Sequence, residues 1–90
     1  MSKELVYTKY FYDSLDEILD YIRKDSDFRA SNFLKIVIEK IENLKDFPNL
    51  GFKDKLGLSK YIIDKNYIVY YYIEKSKVYV LGIRNSKLKK

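Results

Sequence analysis

A chain of 90 residues with 18 Lys/Arg, 13 Asp/Glu and neither cysteine nor histidine has room for one domain, expected to span 1–90. It excludes a disulfide framework, a thiolate metal site and every catalytic scheme built on an imidazole. No metal or other cofactor is expected. Hydrophobic residues at 47% and charged residues at 34% are the balance of an ordinary soluble globular chain. No apolar run approaches the ~18–20 residues of a membrane span. The charged opening MSKELVYTKY lacks the apolar centre of a secretion signal, so a cytoplasmic protein with no membrane partner is expected.

The net charge of +5 is unevenly spread. Residues 1–48 carry eight Lys/Arg against ten Asp/Glu, a net of −2. Residues 49–90 carry ten against three, a net of +7. Such asymmetry points the second half toward something anionic, or leaves it as a lysine-rich solvated surface.

In chain order, Glu4–Lys9 alternates well enough for a short strand. Ser14-Leu15-Asp16-Glu17 reads as a capping box that opens a first helix. Leu15, Ile18, Leu19 and Ile22 follow at helical spacing, and acidic Asp16, Glu17 and Asp20 favour its positive end. That helix should stop near Asp25. Ser26 or Asp27 caps a second helix whose stripe is Ala30, Phe33, Leu34, Val37, Ile41 and Leu44, with Ile38 at its margin. Pro48 and Gly51 end it. The short connection implies an antiparallel helical hairpin, and its apolar stripes need a sheet to cover.

Lys60–Ile63 is the next strand, Asp64-Lys65-Asn66 a turn, Tyr67–Glu74 a strand, Lys75-Ser76 a turn core and Lys77–Arg84 a strand. The expected fold is α+β, a two-layer β-α-α-β-β-β domain with the helical hairpin on a mainly antiparallel sheet. Side chains alternate across a strand. Tyr67, Val69, Tyr71 and Ile73 are therefore assigned to the helix side, because Glu74 must then look away from it. On the last strand Tyr79, Leu81 and Ile83 form one set, and Val80, Gly82 and Arg84 the other. The expected open face is Ile68, Tyr70, Tyr72, Val80, Gly82 and Arg84, rimmed by lysines. An aromatic face without a covering helix marks a binding surface. It suits a protein partner through Tyr70, Tyr72 and Arg84, or nucleic acid through ring stacking and lysines. Arg84 can also pair with Glu74 and do nothing more.

Several motifs carry a resemblance. Ser14-Leu15-Asp16-Glu17-Ile18 with Tyr21-Ile22, then Ala30, then Leu44, Pro48 and Gly51, then Tyr67 and Tyr71, then Val78, Leu81 and Ile83 stand in the order and spacing of the RelE/ParE toxins of bacterial type II toxin–antitoxin systems. The chain resembles that family over about residues 4–86. The resemblance implies the same two-layer fold and a cognate antitoxin that neutralises the toxin with a helix and an extended segment. It also implies one of two targets: DNA gyrase for the ParE branch, or the ribosome with mRNA, which the RelE branch cuts as a metal-free endoribonuclease. For a ribonuclease, Arg84, Lys60 and Lys87 would be the catalytic candidates. Partner contacts would fall to Ile68, Tyr70, Tyr72, Val80 and Arg84, and nucleic-acid contacts to Lys53, Lys55, Lys60, Lys65 and Lys87.

Three departures separate the chain from the ribonuclease branch. Ile68 stands where that branch carries an arginine after the strand tyrosine. Asn85-Ser86, with Lys87 one step later, stands at its basic position past the last strand. The sequence closes on Leu88-Lys89-Lys90 without its catalytic tyrosine. The reading is a ParE-like gyrase inhibitor, with a RelE-like ribonuclease or a non-toxic RNA-binding regulator as the alternatives.

Overall fold

The first helix begins earlier than its capping-box motif suggests. In the computed structural model, which describes residues 2–64 and 66–86, strand β1 (Glu4–Tyr7) passes through Thr8 into helix α1 (Lys9–Arg23). Thr8 is the N-cap: its hydroxyl accepts from the Phe11 amide at 3.1 Å and donates to the Val80 carbonyl at 2.9 Å. Ser14 therefore lies inside the helix and caps nothing, and the first turn holds no acidic residue. The motif misleads because Thr8, one residue past the strand, meets the same capping demand and ties the helix to the sheet as well. Beginning there buries Phe11 completely, a core residue the sequence pattern left out.

Helix α2 (Asp27–Glu42) is capped by Ser26, whose hydroxyl accepts from the Arg29 amide at 3.2 Å. It runs on into a 3₁₀ turn, Asn43–Lys45. Ala30, Phe33, Val37, Ile41 and Leu44 are buried along its inner side. Leu34, expected in that stripe, is exposed. At 100° per residue the buried set is centred on Val37, with Phe33 and Ile41 about 40° to either side and Leu34 just beyond it at about 60°.

Four further strands follow: β2 (Phe52–Lys53), β3 (Ser59–Asp64), β4 (Tyr67–Glu74) and β5 (Lys77–Asn85). Two-residue β2 is an addition to the expected order. The sheet runs β1-β5-β4-β3-β2, with β1 parallel to β5 and the other neighbours antiparallel. The helices cover one side, and Val69, Tyr71, Val78, Val80, Ile63 and Ile83 meet them from the strands. Lys75 turns the β4–β5 hairpin at positive φ, 53°.

Candidate functional site

The open side of the sheet is built in rows. Cross-strand partners share a face, so Phe52, Lys60, Tyr70 and Gly82 form one row across β2 to β5. Ile62, Ile68 and Arg84 form the next. Tyr72 pairs with Tyr79, ring centroids 5.8 Å apart, and Glu74 pairs with Lys77. Strand β4 thus divides its side chains as the alternation predicts.

The last strand does not. Tyr70 pairs with Gly82 but Tyr71 pairs with Val80, so Leu81 is an extra residue in β5, a bulge. The bulge reverses the alternation midway. Val78 and Val80 point into the core before it and Ile83 after it. Val80, expected on the open face, is 0% exposed and cannot touch a partner. Tyr79, expected on the other side, takes a place on the face instead. Gly82 and Arg84 lie beyond the bulge and keep the expected side. Two signals in the sequence mark this irregularity: the core valines and isoleucine fall at 78, 80 and 83, which no strict two-residue period connects, and a glycine sits among them.

Helix α1 walls the face along β5. Where β1 ends, the Ser14 hydroxyl takes over its place, accepting from the Ile83 amide at 3.2 Å and donating to the Phe11 carbonyl at 2.9 Å. Between this wall and the sheet lies a groove of about 750 Å³. Tyr10, Asp13 and Glu17 line it from the helix, and Tyr70, Gly82 and Arg84 from the sheet. Its helix wall is acidic and its sheet side basic. Lys60 stands over the Tyr70 ring, its Nζ 5.9 Å from the centroid. Arg84 is exposed and sits opposite Ile68, while Glu74 sits opposite Lys77, so the register does not build the alternative Arg84–Glu74 pair. The ion pairs Lys9–Asp13, Asp20–Arg23 and Asp25–Arg29 lie on the helices and involve neither cation of the face.

Of the anticipated site residues, Lys60, Ile68, Tyr70, Tyr72 and Arg84 come together on one face. Lys53 and Lys55 are both exposed at the β2 end of the sheet, but Lys53 pairs with Ser59 and so belongs to the side opposite the open face. Lys65 and Lys87 lie outside the described residues. Phe52, Ile62 and Tyr79 belong to the face and were missed. The first two needed the β2–β3 register, and the third needed the bulge. Among the described residues no group of three or more acidic side chains is placed to hold a metal. Nor is any helix long and apolar enough to cross a membrane.

A family model described as the ParE toxin of the type II toxin–antitoxin system parDE matches residues 5–87. The chain belongs to this family and is a toxin of the RelE/ParE kind. Its fold is similar to that of the chromosomal ParDE toxin–antitoxin system from P. aeruginosa, with TM-score 0.82 and 16% identity over 96% of this chain and 98% of the other. It is also similar to the RelBE2 toxin–antitoxin complex from Mycobacterium tuberculosis, with TM-score 0.66 and 14% identity over 94% and 99%. The YoeB/ParE toxin from Agrobacterium tumefaciens follows at TM-score 0.62 and 19% identity over 91% and 97%. At such identities the likeness speaks for the fold. A comparison with curated protein sequences finds no match.

Proposed function

We propose that this chain inhibits DNA gyrase and that a cognate antitoxin neutralises it by covering the open sheet face. The match to the ParE model over residues 5–87 carries the reading. The face itself agrees. It offers aromatic and aliphatic anchors, Tyr72, Tyr79, Ile62 and Ile68, with Arg84 among them, the side-chain types that dominate protein interfaces. Contact with an antitoxin is assigned to Ile68, Tyr70, Tyr72 and Arg84.

Metal-free RNA cleavage would need a proton acceptor, a proton donor and cations for the developing phosphorane charge. Among the described residues, Lys60 over Tyr70, with Arg84 in the neighbouring row, is the arrangement on the face that could supply cations and a phenol. It keeps a RelE-like ribonuclease as the second reading, with Lys53, Lys55 and Lys60 as phosphate contacts. Two assays decide between them: supercoiling by purified gyrase, and cell-free translation with primer extension on the mRNA. Loss of supercoiling with intact mRNA is the expected result. Site-specific mRNA cuts that require ribosomes would replace the gyrase reading with the ribonuclease one.

A further inference from the structure

A second hollow lies on the helix side of the sheet, where the two helices turn back over the start of β4. It encloses about 630 Å³, the size of sites that seat a ligand or an anchoring side chain. Its floor is fixed. The Phe33 and Tyr67 rings meet there with centroids 4.6 Å apart at 57°. Phe33 belongs to the core, and the Tyr67 hydroxyl accepts from the Asn85 side-chain amide at 3.3 Å. Tyr21 on α1 and Ile36 on α2 stand at its rim, 66% and 38% exposed. Ile36 follows from helix geometry: next to Val37 in sequence, it lies about 100° round α2 from the centre of the core stripe.

The rim is charged in both senses. Lys24 and Arg29 bring two cations, and Asp25 and Asp64 two acids. Arg29 pairs with Asp25 at 2.9 Å, but both are exposed, so the pair contributes little and can be exchanged for a partner's charges. Lys24 has no ion pair among the described residues. A nucleic acid or an anionic membrane would meet the acids as well as the cations and gain no net attraction. A protein loop that carries a large apolar side chain between residues of opposite charge fits both the floor and the rim. Tyrosine and arginine are enriched among the residues that anchor such contacts.

The hollow also adjoins the groove beside the open face. Tyr10, Ser14 and Glu17 line the groove from α1, and Tyr21 follows them on the same flank at helical spacing. We propose that a loop of gyrase seats an apolar side chain in this hollow, against Tyr21, Phe33, Ile36 and Tyr67, and that the chain holds its target through this contact. This rests on the reading that the chain inhibits gyrase. An antitoxin over the open face and its groove has no need of the hollow, but it stands beside it and bars a partner as large as gyrase.

The test compares the wild-type chain with two double variants: Tyr21→Ala with Ile36→Ala, and Lys24→Glu with Arg29→Glu. Each protein is read for melting temperature, for inhibition of supercoiling by purified gyrase, and for antitoxin affinity by isothermal titration. All four side chains are exposed, and alanine is the best helix former, so the alanine variant should melt close to the wild type. It should need at least about tenfold more protein to inhibit gyrase, and the charge-reversed variant at least about fivefold more, with antitoxin affinity within about threefold of wild type in both. Inhibition at the wild-type concentration by the folded alanine variant overturns the contact and leaves the gyrase reading standing. An equal loss of antitoxin affinity overturns it too, by making the hollow part of the antitoxin surface. If the wild-type chain leaves supercoiling intact, the gyrase reading falls, and the contact falls with it. Should the alanine variant fail to fold, the charge-reversed variant decides on the same readouts.

Discussion

The phenolic hydroxyl of Tyr71 and the amide of Gly51, twenty residues apart in sequence, meet at 3.0 Å beneath the sheet. The same hydroxyl donates to the Pro48 carbonyl, so two loop groups depend on one side chain. Replacing Tyr71 with phenylalanine leaves a partly buried carbonyl and amide without that partner, at a cost of about 1–3 kcal/mol. For a domain of this size each kcal/mol lowers the melting temperature by roughly 4–8 °C. Gly51→Ala should be at least as harmful. A Cβ there would lie 2.4 Å from the Lys60 carbonyl oxygen and 2.8 Å from the Tyr71 hydroxyl, and the nearer of these is backbone. Thermal melts of both variants check this. An unchanged midpoint for Gly51→Ala would mean that the loop can move off the sheet without loss.

Thr8 and Ser14 should separate by experiment into a cap and a bridge. Thr8→Ala removes the N-cap bond and the bond to the Val80 carbonyl, and should cost about 1–2 kcal/mol. Ser14→Ala removes the bridge between α1 and the Ile83 amide, and should cost about 1 kcal/mol with the helix N-terminus intact. Amide exchange distinguishes the two. Exchange of the Phe11 amide should quicken in the first variant, and that of the Ile83 amide in the second. If Ser14→Ala instead exposes the first turn of α1, the helix begins where its capping-box motif suggested.

Tertiary contacts decided the places where the sequence pattern and the structure part. The hairpin of helices, the β4 faces and the order of elements follow from periodicity, because each has one apolar side and one layer to cover. Pro48, Gly51 and Tyr71 read as a stop, a turn and a core aromatic whose hydroxyl needs a partner. That they are one clamp depends on a contact across 23 residues, which no local pattern records. Ser14 satisfies the capping rule by spacing, yet Thr8 wins because its hydroxyl also reaches β5. Val80 was misplaced by assuming an unbroken alternation, although Val78, Val80 and Ile83 are already out of step with one. Strand β2 is too short to show a period at all. Its two residues are placed by long-range ties, the loop before them to Tyr71 and the Asp54 amide after them to the Leu58 carbonyl.

The corrected face changes which substitutions should matter for binding. Tyr72→Ser with Tyr70→Ser, or Tyr79→Ser with Ile62→Ser, should weaken antitoxin binding tenfold or more while far-UV circular dichroism stays unchanged. Tyrosine is enriched among the few interface residues that are worth about 2 kcal/mol or more each. Val80→Ala should do the reverse. It leaves a cavity in the core and lowers the melting temperature, but the folded fraction should bind at full strength. Isothermal titration of the purified variants reads both effects. Full-strength binding by a folded Tyr70→Ser, Tyr72→Ser protein would move the antitoxin to another surface.

Alkaline pH should destabilise the protein through its buried and partly buried phenols. Burial is the largest cause raising the pKa of Tyr7, Tyr67 and Tyr71 above the usual value of 10.0. Nearby Glu42 adds to the rise at Tyr7, while the Asn85 amide opposes it at Tyr67 and the Gly51 amide opposes it at Tyr71. A pKa higher in the folded state than in the unfolded one means that the folded state holds its proton longer. The stability this contributes is complete below about pH 10 and is lost as pH rises through the folded values. Melting temperatures should therefore fall across that range, with phenolate absorbance appearing together with unfolding. Tyr7 allows the cause to be isolated. Its hydroxyl is buried without a hydrogen-bond partner among the described residues, and its ring packs on Phe11 at 5.3 Å. Tyr7→Phe removes a titrating group without breaking a hydrogen bond. It should melt at the same temperature or higher at neutral pH and show a shallower alkaline decline. A Tyr7→Phe protein that is clearly less stable at pH 7 would show that the hydroxyl has a partner in solution.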